Sequence, residues 1–170
     1  MGALVQVFWQ IALLRKGPQT LPASRELLWL LLAAHWLTGV ILVIDTLSLG
    51  RALLSGLLGT LIMVALVHGL LITHRHHNRV TQTLSALAGC EVLLGLFMLL
   101  LLVMLHMGSG MQDLVSILWL LLLGWNIAIA AHIFRNALEV TLGMGILFAM
   151  GYIIISISLS SFLIPADAAV

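Results

Sequence analysis

The chain has 170 residues, of which 62% are hydrophobic and only 8% charged, against about a quarter charged in an ordinary globular domain. That composition excludes a water-soluble globular fold and points to an integral membrane protein. A formal net charge of +1 gives no footing for nucleic acid, and a lone cysteine, Cys90, excludes an intramolecular disulfide or a thiolate metal cage.

In chain order, Met1 to Leu14 is too short to cross a bilayer, which takes roughly 20 apolar residues. Gln6 and Gln10 share one helical face, while Leu4, Val7, Phe8, Ile11 and Leu14 cover the other. Arg15 and Lys16 follow, and Gly17-Pro18 stops the helix. The pattern predicts an interfacial amphipathic helix in the headgroup region, with Trp9 near the polar boundary. Basic residues that come after the apolar stretch, with no small-residue cleavage site behind them, argue against a signal peptide. The linker 17–24 leads to the first span, with Pro22 or Ser24 placed to start its helix.

Five apolar runs then follow, each long enough to span. They are expected at Leu27 to Leu47, Ala52 to Thr73, Thr83 to Met107, Leu114 to Phe134 and Val140 to Ile164. The expected fold is all-α: a polytopic membrane helix bundle of five transmembrane helices behind the interfacial helix. Its parts are 1–24, the membrane domain 25–165 and a short tail, 166–170. Because five is odd, the two termini face opposite sides. Arg15, Lys16, Arg25, Arg75, Arg79 and Arg135 fall on the N-terminal side and only Arg51 on the other. The positive-inside rule therefore predicts that the N-terminus and the hinge His74-Arg75-His76-His77-Asn78-Arg79 are cytoplasmic.

No loop is long enough to carry an aqueous active site, and phosphate-loop, zincin and nucleophile-elbow motifs are missing. The informative residues are the polar ones inside the spans, since each is costly in lipid unless it faces protein, water or a partner. Glu91 lies well inside the third span, where burial favours the neutral acid unless a cation is near. Ala88 and Gly95 on its face are small enough to admit another helix. His35 in the first span and Asn126 in the fourth lie at similar depth, so a His35, Glu91, Asn126 contact is possible. Such a contact reads either as a structural polar latch or as a proton or substrate relay. His68 and His132 are depth-matched and open the alternative of axial ligation of haem b. His74, His76 and His77 allow a metal site, although His76 and His77 do not converge on one helical face. The basic residues Arg15, Lys16, Arg25, Arg75, Arg79 and Arg135 are expected to face lipid headgroups.

The segment Leu13-Leu14-Arg15-Lys16-Gly17-Pro18-Gln19-Thr20-Leu21-Pro22-Ala23-Ser24, leading into the first of five spans, resembles small proteobacterial inner-membrane proteins grouped with the Yip1 family. The resemblance implies a multi-pass protein of the bacterial inner membrane that works as an adaptor, and it carries over no functional residues. The expected function is a non-catalytic partner or assembly subunit, in contact with the lipid bilayer and with a membrane-protein partner or a second copy of itself. A small proton-coupled transporter component or a haem-bearing electron-transfer subunit is the alternative.

Overall fold

A computed structural model describes residues 2–106 and 109–163. Six α-helices occur among them: α1 (Gly2–Ala12), α2 (Arg25–Val43), α3 (Leu49–Thr73), α4 (Val80–His106), α5 (Gln112–Leu138) and α6 (Leu142–Leu163). Helices α2 to α6 are long and apolar enough to cross a membrane, so the chain is a multi-pass membrane protein. The expected tail 166–170, Pro165 and the loop residues Met107 and Gly108 lie outside the described residues.

Local chemistry sets the helix ends. Ser24 rather than Pro22 starts α2, its hydroxyl accepting from the Leu27 N–H at 3.1 Å. Helix α2 stops at Val43, before the expected Leu47, because the Thr46 and Leu47 N–H groups both turn back to the Val43 carbonyl. Helix α5 overruns its expected end by a turn, to Leu138. Arg79 explains the extra turn. Its guanidinium donates to the carbonyls of Asn136 and Ala137 and pairs with Glu139, which satisfies carbonyls that a helix C-terminus leaves open. Arg79, grouped by sequence with lipid-facing bases, is thus turned toward protein. Arg15, Lys16, Arg25, Arg75 and Arg135 are exposed at the same end of the bundle, here termed the hinge end.

The five long helices close into a ring in which α2 packs on α3 and α4, α4 on α5, and α5 on α6, with α6 returning to α3. Close approach needs small residues at the crossings. A Cβ on Gly95 of α4 would collide with Thr38 of α2, and one on Gly145 of α6 would lie 2.6 Å from the Ala131 carbonyl of α5. The small-residue steps Ser85/Gly89 and Gly145/Ala149 are likewise packed.

The two ends of the bundle are packed differently. From Thr83 to Cys90 every residue of α4 is buried, whichever way it points. Helix α1 supplies the missing wall. It docks against α4 and α5, with Phe8, Ile11 and Ala12 buried and the Phe8 ring seated over Gly89, where a Cβ would occupy the ring's own space. The Trp125 indole of α5 donates to the Ala12 carbonyl at 2.8 Å. Trp9, Phe97 and Trp125 meet with ring centroids 6.1–6.4 Å apart, a spacing that suits tilted and edge-on aromatic contact. The linker is pinned to the bundle. Gln82 donates to the Leu21 carbonyl at 2.7 Å, and the His132 ring donates to that of Lys16 at 3.0 Å.

Cys90 is buried beneath α1, its thiol directed at the Phe8 carbonyl, so it reports whether α1 is docked. Phe8→Ala removes the ring over Gly89 and should raise the alkylation rate of Cys90 by a membrane-permeant maleimide by about tenfold, the equivalent of ~1.4 kcal/mol of weaker docking. An unchanged rate would mean that α1 does not shield this face.

The Arg79 clamp makes a second prediction. Hydrogen bonding and then charge attraction from Arg79, helped by His76, hold the Glu139 carboxyl below its ordinary value of 4.5. Since the folded value is the lower one, the contribution is complete above 4.5 and is lost as pH falls through the folded value. The thermal midpoint should decline over that acid window less steeply in Glu139→Gln than in the parent. Parallel declines would remove Glu139 from the clamp.

Candidate functional site

Helices α2 and α4 run in the same direction, and the polar residues meet about halfway along them. His35 is ten residues into α2 and Glu91 eleven into α4, or roughly 15–17 Å at 1.5 Å per residue, near the middle of a hydrocarbon layer about 30 Å thick. His35 Nε2 lies 2.7 Å from Glu91 Oε2. Tyr152 of α6 donates its hydroxyl to Glu91 Oε1 at 2.8 Å. On the far side of the imidazole, Nδ1 is 2.9 Å from Thr60 Oγ1, and Thr60 in turn lies 2.9 Å from the Gly56 carbonyl of its own helix. Four helices, α2, α3, α4 and α6, therefore converge on one hydrogen-bonded row.

Donor and acceptor counting narrows the ways protons can be arranged along this row. The Thr60 hydroxyl has one proton, and the Gly56 carbonyl can only accept. With that proton given to Gly56, His35 Nδ1 carries its own and donates to Thr60. One proton remains for the gap between His35 and Glu91, held either as a carboxylic acid facing neutral imidazole or as imidazolium facing carboxylate. Both states are net neutral. The opposite assignment, with Thr60 donating to the ring, places an ionised Glu91 against a neutral histidine and leaves a net charge in hydrocarbon, which is costly.

The row is accessible from inside the bundle. His35 and Glu91 are each 17% exposed at the side chain and line a cavity of about 330 Å³. From them the cavity runs along Leu42 of α2, Met98 of α4, Trp119 of α5 and Ile157 of α6, all displaced from the row toward the end opposite the hinge. Asn126 is on the wall of the same cavity. It makes no hydrogen bond to His35 or Glu91, nor to any other described residue. The expected three-way contact thus forms in two of its three members, with Tyr152 and Thr60 in the positions that complete it. Ser156, a turn beyond Tyr152, also lines the cavity, with its buried hydroxyl beside that of Tyr152.

Tyr152 is the only tyrosine of the chain and lies mid-run in an apolar helix, a signal the sequence did contain. Thr60 gave none, since a threonine in a helix usually bonds the carbonyl one turn back, which Thr60 also does.

The other candidates are placed apart from this row. His68 is exposed on α3. His132 directs Nε2 at the Lys16 carbonyl and has Asn136 alongside it, so the nitrogen a haem iron would need is occupied by the linker. His74 stacks edge-on with Phe148, centroids 5.4 Å apart, and His77 is exposed. Among the described residues, no three His, Cys, Asp or Glu side chains gather as a metal ion would require. Trp29 and Trp36, two turns apart on α2, have different surroundings. Trp36 donates to the Leu53 carbonyl of α3 at 3.1 Å, and Trp29 is 70% exposed.

Compared with known proteins, the chain matches no family model, no curated protein and no solved structure.

If His35 and Glu91 satisfy each other, removing one should hurt more than removing both. His35→Leu and Glu91→Leu should each cost ~3–5 kcal/mol by stranding the partner in hydrocarbon, and the double replacement should cost less than either. Thermal unfolding in detergent reads all four proteins, and additive losses would show the pair to be uncoupled. Tyr152→Phe should cost about 1–3 kcal/mol, the penalty for a buried acceptor left open.

Proposed function

We propose that this chain is a non-catalytic component of the bacterial inner membrane that holds and exchanges a proton between His35 and Glu91, as the proton-coupled part of a larger assembly. The observation that carries this reading is the 2.7 Å contact between the two side chains at the closed end of a cavity. A latch that serves only to join α2 and α4 gains nothing from an open space beside it. A carboxyl and an imidazole that share one proton, and that a solute or water can reach, can take up or release it with little rearrangement. Net neutrality lets the row rest at mid-depth without a counter-ion.

The orientation is part of the same proposal. Arg15, Lys16, Arg25, Arg75, Arg79 and Arg135 lie at the hinge end and Arg51 at the other, so the positive-inside rule puts the hinge in the cytoplasm and the end toward which the cavity runs in the periplasm. An alkaline phosphatase fusion after Asp113 should then be active and one after Arg79 inactive. The reverse pattern would invert the orientation.

Infrared difference spectroscopy of the protein in liposomes tests the proton site. The carboxyl or carboxylate band that disappears in Glu91→Gln should respond to bulk pH and exchange with deuterium within the mixing time. A Glu91 band indifferent to pH and slow to exchange would reduce the pair to a sealed structural contact.

A further inference from the structure

Met98 and Trp119 stand at the far end of the cavity beside His35 and Glu91. Those two residues also line a second cavity of about 380 Å³, which runs between α4 and α5 along Leu101, Leu102 and Leu105 on one side and Val115 and Leu120 on the other. Ser116 is its single polar residue, and its hydroxyl is already bonded to the Gln112 carbonyl. The mouth faces outward, since Trp119 is 45% and Leu120 61% exposed. From Met98 to Leu105 the groove follows α4 for about 10 Å. The molecule thus has a polar-floored chamber next to an apolar trough of similar size, with Met98 and Trp119 between them.

The chamber floor has hydrogen-bonding capacity that the protein does not use. Asn126 lines the chamber without a hydrogen-bond partner among the described residues. A buried polar group left open is costly, and a bound molecule can satisfy it. The row of Thr60, His35, Glu91 and Tyr152 is complete in itself and net neutral, so nothing offsets a full charge on a ligand at this depth. A chamber of about 330 Å³ stands at the lower end of ligand-site sizes and has room for a ring-sized head but not for a long chain as well.

We propose that the two cavities form one binding site for an amphipathic molecule drawn from the membrane, with an uncharged, carbonyl-bearing ring in the chamber and an apolar tail in the α4–α5 trough. Quinones are the membrane-resident class with this chemistry. The Asn126 amide donates to a ring carbonyl, and the His35–Glu91 pair borders the head. Phospholipids are disfavoured by their charged heads. This assignment rests on reading the chamber as a working site, and names what occupies it.

The test uses the full chain in detergent micelles and equilibrium retention of three probes: a decyl-tailed benzoquinone, the same ring without its tail, and decane. Wild type should retain the tailed quinone saturably at one per chain, more tightly than the bare ring, while decane and added phosphatidylglycerol fail to displace it. Asn126→Leu, which breaks no hydrogen bond within the protein, should weaken both quinone probes by about tenfold. Leu102→Trp fills the trough and should weaken the tailed quinone while leaving the bare ring unchanged. Non-saturable retention by wild type, displacement by decane, or tailed-probe affinity indifferent to both substitutions would overturn the proposal. Binding that persists and depends on Asn126 while the Glu91 band ignores pH would sink the proton reading alone. A responsive Glu91 band with no quinone retention would sink the ligand assignment alone.

Discussion

The contact between His35 and Glu91 constrains the membrane domain more than any other. Two ionisable side chains near the middle of hydrocarbon are each destabilising alone, and only their meeting removes the cost. That requirement fixes how α2 and α4 are registered, because ten residues of one helix must match eleven of the other. It also requires the helices to be close, which Gly95 permits where it meets Thr38. Tyr152 and Thr60 then bring α6 and α3 to the same level. Packing between apolar surfaces in lipid is weakly directional, so a polar row of this kind selects one arrangement among several that would bury similar area.

Helix α1 makes the two ends of the bundle unequal. It has 11 residues, enough to wall off about half of the groove beside α4 and no more. Where it lies, α4 is buried on every side. Past the cluster of Trp9, Phe97 and Trp125, the space between α4 and α5 is left unfilled and holds the second cavity. The linker bonds from Gln82 and His132 hold α1 at that depth, so the hinge end acts as the fixed part of the molecule.

Much of this was legible in the residues. Run lengths and charge spacing give the five long helices, and depth alone brings His35, Glu91 and Asn126 to one level. What depth cannot give is rotation about each helix axis. His35 and Glu91 turn toward each other, whereas Asn126 faces empty space, a difference of angle that a nearly uniform apolar run does not encode. The amphipathic pattern of α1 was visible, but a membrane surface and a protein groove select the same apolar face, so the pattern could not name its partner. Small residues recur at four-residue spacing, and they allow tight packing at Gly89 and Gly145. Gly59, in the same pattern, meets nothing and lines the chamber instead.

The chemistry of the row favours moving a proton over moving an ion. Passing the shared proton from Glu91 to His35 converts an acid and a neutral ring into an ion pair at 2.7 Å, a change of local dipole with no change of net charge. The Tyr152 hydroxyl supports the carboxylate form and the Thr60 oxygen supports the imidazolium form, so both states keep their hydrogen bonds. A neighbouring molecule that accepts or donates a hydrogen bond in the chamber shifts the balance between them through its own dipole. A permeating cation would instead meet a site whose only carboxylate is already engaged on both oxygens. Neutral, hydrogen-bonding and membrane-soluble chemistry is what such a row can sense, and the unfilled space beside it lies where that chemistry can enter.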